Sequence, residues 1–187
     1  MDTNWEEERI MATNGNGSSE IRKLRQLVRS IRVAMMTTCA EDGSLHSRPM
    51  ATCEISRDGS LWFFTYANTG KVQEIGQNHK INVNYADPEN DRYVAVAGTA
   101  EVIREREKME EIWSPRLYEW FPQGIDTHDI VLLRVEVERL EYWDLNAGRF
   151  SNLFERLRGA VLHTPVFPTK HGYIEIGHAQ SAPRPPA

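Results

Sequence analysis

Alternating apolar and polar positions dominate this chain and are broken by stretches of helical spacing. Ile21, Leu24, Leu27, Val28 and Ile31 fall on one stripe and Arg22, Lys23, Arg25 and Arg29 lie off it, so an amphipathic helix is expected to start at Ser18 or Ser19. Residues 32–38 read as a first strand, and Glu41-Asp42-Gly43-Ser44 as a hairpin turn. Next, Leu45, Ser47, Pro49, Ala51, Cys53 and Ile55 alternate with His46, Arg48, Met50, Thr52 and Glu54. This predicts one long strand with the first set on its buried face. Residues 57–60 (Arg-Asp-Gly-Ser) form a turn with Gly59 free to take a positive φ, and residues 61–66 (LWFFTY) are apolar on both faces. One of those faces belongs to a core; the other needs a cover, either a partner subunit or a flat ligand.

A helix opens at Thr69, a good N-cap, and residues 80–86 alternate as a strand. Residues 93–104 form a strand rich in small side chains: Ala95, Ala97, Gly98 and Ala100. Small residues there permit close approach of a second backbone or of a planar ligand, or mark a barrel corner. Residues 105–120 have helical spacing interrupted by Pro115, and at least two of Trp113, Trp120 and Phe121 are expected to anchor it to the core. The last long strand spans residues 130–144. Its apolar phase moves from Val131, Leu133, Val135 and Val137 to Leu140 and Tyr142, which predicts a bulge near Glu138.

Chemistry concentrates where the apolar strand meets the helix. Lys71 stands in the first helical turn, where the helix dipole already places positive charge, so a cation there makes sense if an anion binds between them. Gly70 lets a ligand approach the backbone, and Arg48, on the face away from the apolar positions, supplies a bidentate fork. His46 faces the same side as Arg48 and reads as a surface or hydrogen-bonding residue. A net charge of -5 over 187 residues argues against a nucleic-acid partner. Two cysteines, Cys39 and Cys53, without metal-like spacing, exclude a disulfide scaffold and suggest reduced thiols in a cytoplasm. Residues 1–18 are polar and acidic; they read as a disordered tail, with no signal peptide expected. No apolar run approaches the roughly 18 residues needed to cross a bilayer. The basic helix is read as packed on the barrel rather than lying on a membrane. G-x-S-x-G, H-E-x-x-H, P-loop and G-x-G-x-x-G motifs are all missing.

Six runs occur in order: Ser-Arg-Pro-Met (47–50), Leu-Trp-Phe-Phe-Thr (61–65), Thr-Gly-Lys (69–71), Tyr-Ala-Asp-Pro (85–88), Val-Ala-Gly-Thr-Ala-Glu-Val (96–102) and Glu-Tyr-Trp-Asp (141–144). Together they resemble the pyridoxamine 5'-phosphate oxidase-like flavoproteins, and within them the general stress proteins, over roughly residues 21–150. The resemblance implies a mainly β fold, a split β-barrel of Greek-key-type antiparallel strands with flanking helices. It also implies a homodimer with FMN at the subunit interface. Arg48 and Lys71 would then hold the phosphate charge, with Thr65 and Thr69 donating hydroxyl hydrogen bonds. Pro49, Met50 (through its backbone), Phe63 and Phe64 would line the ring, and Trp143 would lie beside the partner's flavin. On this reading residues 19–150 are the flavin domain. Residues 151–187, with five of the nine prolines after residue 163, are a partly disordered extension, and residues 150–162 form a short helix.

In true pyridoxamine 5'-phosphate oxidases, substrate-holding Arg and His residues follow the last tryptophan. Here Arg149 stands at the first such place, but Ser151 and Leu153 replace the His and a further Arg. Oxidation of pyridoxamine phosphate is therefore disfavoured. The expectation is a flavin-dependent oxidoreductase of unspecified substrate, with hydride passing at flavin N5 and no protein acid, base or metal assigned. The alternative is a flavin-binding module without turnover. The ring system, flavin, deazaflavin or heme, is left open.

Overall fold

The computed structural model describes residues 17–144 and 170–175, which form an antiparallel sheet of eight strands with three α-helices. The strands are β1 (Val33–Cys39), β2 (Leu45–Ala51), β3 (Glu54–Ile55), β4 (Leu61–Tyr66), β5 (Lys80–Asp87), β6 (Arg92–Ile103), β7 (Ile130–Asp144) and β8 (Lys170–Glu175). The helices are α1 (Gly17–Val28), α2 (Gly70–Gln77) and α3 (Arg106–Ile112). The strand order is β2-β1-β5-β6-β7-β4-β3. One edge of β7 pairs with β6; the other takes β4 along its first half and β8 along its second. β2 and β4, remote in that order, touch across the curl of the sheet.

The inner face of the curl buries Met36, Phe63, Val83, Val96, Leu133 and Leu140, with Leu24 and Leu27 of α1 and Ile75 of α2 closing it. The predicted α1 stripe is thus the buried one. Its basic residues are also engaged: Arg25 donates to the carbonyls of Ile55 and Ser56 (3.0 and 2.7 Å), and Lys23 lies 4.8 Å above the Tyr142 ring. The bulge falls where the phase change placed it. Ala97 opposes Arg139 while Gly98 opposes Val137, which leaves Glu138 as the extra residue. At Gly98 the close neighbour is a second backbone: an added Cβ would stand 2.0 Å from the Glu136 carbonyl oxygen.

Four expectations need correction. The stretch 45–55 is not one strand: it breaks after Ala51, and β3 pairs with β4 instead of β1. Its buried parity is also reversed. Leu45, Ser47 and Pro49 are exposed, whereas Met50 is buried and Arg48 partly so. Register explains this, because Arg48 lies opposite the fully buried Met36 and Met50 opposite Ala34. The second face of β4 is covered neither by a ligand nor by another subunit. Trp62 and Phe64 pack against Met109, Ile112, Leu117, Phe121 and Leu132, so the chain's own 106–121 segment is the lid. Phe64 meets Trp113 edge-to-face at 5.3 Å, and burying such aromatic rings contributes about 2 kcal/mol each. Trp113 and Phe121 do pack there, while Trp120 is 40% exposed. The predicted helix over 105–120 shortens to α3 and a separate 3-10 turn at Pro115–Glu119, since Pro115 cannot continue the hydrogen-bond ladder. Beyond those four, Lys170–Glu175 forms a strand within the stretch read as a partly disordered extension. Of the tail expected over 1–18, residues 17 and 18 belong to α1 and residues 1–16 lie outside the described residues, as does the helix expected over 150–162.

Candidate functional site

Inward-facing positions of β1, β2 and β4 converge on α2. In β2 the inner face is His46, Arg48 and Met50, and in β1 it is Ala34, Met36 and Thr38. Thr65 stands on β4, 4% exposed, and Lys71 and Glu74 project from the start of α2. Arg48 Nη1 donates to the Thr38 hydroxyl, Thr38 donates to Glu74 Oε2, and Arg48 Nη2 donates to the same oxygen at 2.9 Å. His46 Nδ1 lies 2.6 Å from Glu74 Oε1. An ionised carboxylate can only accept, so Nδ1 carries the hydrogen. Lys71 Nζ donates to Thr65 Oγ1 at 2.9 Å.

The electrostatics follow from this packing. The Thr38 hydroxyl, followed by hydrogen bonds from His46 and Arg48, holds the Glu74 carboxyl near a pKa of about 2 despite its burial. Burial, and then repulsion from Arg48, lower Lys71 below the ordinary lysine range, and Glu74 works the other way. The two cations therefore feel one another. Among the described residues only part of their donor capacity is used: Arg48 spends two of its N–H groups and Lys71 one. Gly70 and Lys71 add backbone N–H groups without an acceptor among the described residues, as expected in a first helical turn. A Cβ at Gly70 would meet only Glu74 Oε1, at 3.8 Å, so the helix start is open. The arrangement is chemically suited to a phosphate-sized anion.

Arg48, Thr65, Gly70 and Lys71 thus come together as the sequence suggests. Thr69 sits at the N-cap position, but its hydroxyl donates back to the Tyr66 carbonyl at 2.9 Å instead of forward. Phe63 and Phe64 are 0% and 6% exposed and point to opposite sides of β4, so their side chains do not line one ring. The Met50 side chain is in the core, and Pro49 faces outward. Trp143 is opposite Tyr93 near the end of β7, whereas Thr65 pairs with Val131 near its start. Those ends are about 40 Å apart along the strand, so this chain's Trp143 does not join its own cation cluster. Thr38 and Glu74 were not anticipated. A signal for each existed: Thr38 continues the inward period of Ala34 and Met36, and Glu74 is one turn from Lys71 on the α2 side that buries Ile75. Arg149, Ser151 and Leu153 lie outside the described residues.

Two depressions lie elsewhere. One of about 320 Å³ is lined by Arg104, Arg106, Met109 and Asp126 among others; one of about 120 Å³ is lined by Arg32, Thr52, Cys53, Arg116 and Trp120 among others. Neither is lined by Arg48, Thr65 or Lys71. No helix among the described residues is long and apolar enough to cross a membrane.

A curled antiparallel sheet with flanking helices is the split-barrel arrangement. The chain belongs to the Pyridoxamine 5'-phosphate oxidase like family, which matches residues 19–165. It is 34% identical over 112 residues to General stress protein 26 of Bacillus subtilis, covering 58% of this chain and 76% of that protein. It is 29% identical over 172 residues to Protein bli-3 of Neurospora crassa, covering 87% and 82%. Among solved structures, the general stress FMN/FAD binding protein of Xanthomonas citri superposes with a TM-score of 0.58 at 22% identity, over 67% of this chain and 89% of that one. That likeness shows the fold.

Proposed function

We propose that this chain is an FMN-binding flavoprotein of general stress type and a flavin-dependent oxidoreductase, with Arg48 and Lys71 holding the FMN phosphate. The observation that carries this reading is the meeting, among the described residues, of two cations with spare donors at a helix start where the Gly70 and Lys71 N–H groups have no acceptor. The Xanthomonas protein, named for FMN/FAD binding, shares the fold and supports it. The fit is good at the phosphate: Thr65, with Lys71 on its oxygen, keeps a hydrogen to donate. The fit is different at the ring, where buried phenylalanines offer no surface. Among the described residues β2 pairs only with β1, so backbone groups around Pro49 and Met50 face away from the sheet and can meet a ring edge. A bound flavin supplies the hydride chemistry; the chain binds and orients it.

A second copy of the chain is part of the proposal. Val33, Met35 and Leu45, exposed by 45%, 43% and 70%, lie with Pro49 on the outer face of the β1–β2 hairpin, an apolar surface suited to self-association. On this reading the Trp143 beside each flavin comes from the second copy.

Visible absorption after gel filtration with FMN tests the core of this reading. Flavin bands that travel with the protein support it; a colourless protein refutes it. Lys71→Ala should weaken FMN about 10–100-fold, the range for losing a hydrogen bond to a charged group, and unchanged affinity would remove Lys71 from the site. Steady-state oxidation of a reduced nicotinamide tests turnover.

A further inference from the structure

We infer that Glu74 is a positioning residue: it holds the Arg48 guanidinium in the orientation that an anion at Lys71 requires, without touching that anion. The inference rests on the phosphate reading above. Arg48 leaves an edge strand, where a long flexible side chain has many rotamers, yet two partners fix its fork: Thr38 on Nη1 and Glu74 on Nη2. Glu74 is itself fixed from three sides by Thr38, Arg48 and His46, and it is only 9% exposed. It lies three residues after Lys71 on α2, so one helix face presents both the ammonium and the carboxylate that aims the guanidinium. Because Arg48 retains further N–H groups, an anion need not displace Glu74.

The opposite role is a carboxylate that competes with the anion for Arg48. The two roles predict opposite signs. If charge alone mattered, removing the carboxylate would tighten anion binding; if orientation matters, removing the side chain weakens it, and an uncharged isostere does not. FMN and riboflavin, which differ by the phosphate, are titrated into wild type, Glu74→Ala, Glu74→Gln and Thr38→Val, following flavin fluorescence. Thermal melts of each variant accompany the titrations.

The expected result is an FMN Kd raised about tenfold or more in Glu74→Ala, equivalent to ~1.4 kcal/mol, with riboflavin unchanged. Glu74→Gln, whose amide oxygen can still accept from Thr38 and Arg48, should stay within about threefold of wild type or bind tighter. Thr38→Val should also lose FMN selectively, and it decides the matter if Glu74→Ala does not fold. Equal or tighter FMN binding by Glu74→Ala overturns the inference, as does an equal loss in the Ala and Gln variants. A wild type that binds FMN no better than riboflavin overturns the phosphate reading instead.

Discussion

Gly98→Ala probes a close approach between two strands of the barrel, β6 and β7. A methyl group there would stand 2.0 Å from the Glu136 carbonyl oxygen, 3.1 Å from its carbonyl carbon and 3.3 Å from Val137 Cα. Ordinary carbon–oxygen contacts begin near ~3.3 Å, so more than an ångström of relief is needed. All three neighbours are backbone, so no side chain can swing aside. Relief must come from parting β6 and β7 beside the bulge, which sacrifices one or two ladder hydrogen bonds at about 1 kcal/mol each. Overpacking itself costs about 1–3 kcal/mol. The stiffer unfolded chain returns about 0.4–1 kcal/mol. The expected net loss is about 2–4 kcal/mol, or roughly 5–15 °C in Tm for a chain of this size.

Urea unfolding with fitted m-values, alongside a thermal melt, measures this. Gly76→Ala is the companion variant. Gly76 lies in α2, and a Cβ there has nothing within 4 Å, so the same chemical change should stabilise by about 0.5–1 kcal/mol through helix propensity. Opposite signs from one substitution type are the signature of the argument. A Gly98→Ala protein within about 0.5 kcal/mol of wild type would mean that β6 and β7 do not approach as described.

Further outcomes follow from buried chemistry. Glu74 has its folded pKa depressed, from 4.5 to about 2, so its contribution to stability is full above the unfolded value and is lost as pH falls toward the folded one. Melts between pH 5 and 2 should show this acid limb, flattened in Glu74→Gln; an identical limb in both proteins would assign it to other carboxylates. Burial pushes the Cys53 thiol up to about 11, so alkylation at pH 8 should be slow in the native protein and fast in denaturant, with rapid native labelling contradicting that burial. The double replacement Arg48→Met with Glu74→Met should leave stability equal or higher, whereas Arg48→Met alone should cost about 1.5–3 kcal/mol by removing one charge-assisted hydrogen bond from a carboxylate that keeps Thr38 and His46. Chemical denaturation of the three proteins checks this, and an equally destabilised double variant would make the pair structural.

Where a residue's partners are local or periodic, the sequence reading succeeded. The phase change after Val137 was enough to locate the extra residue at Glu138, and the α1 stripe identified its buried face. Thr65 and Lys71, both expected at one site, do meet, because only six residues of strand end and helix start separate them. Failure came where the partner lies far along the chain. The residues that cover Trp62 and Phe64 arrive some fifty positions later, so an apolar strand looked as if it awaited a ligand. The β8 strand is held by backbone pairing to β7 across a long sequence separation, which leaves no trace in local alternation.

The reversed parity of β2 has a different origin. Counting letters puts Leu45, Pro49 and Ala51 inside and Arg48 outside, and for a barrel built only for stability that choice would be the better one. The chain instead turns Arg48 toward Met36 and holds it there with Thr38 and Glu74. Desolvating such a pair costs several kcal/mol that an apolar pair would not cost. A sequence that departs from its own hydrophobic pattern at one place, and supplies Thr38 and Glu74 to hold the departing side chain, is consistent with the binding role proposed for that place. The same departure leaves Leu45 and Pro49 on the outside, where they join Val33 and Met35. One reversal of a strand thus produces both the inward Arg48 and the outward Leu45 and Pro49, so the proposed phosphate site and the proposed second copy share a structural cause.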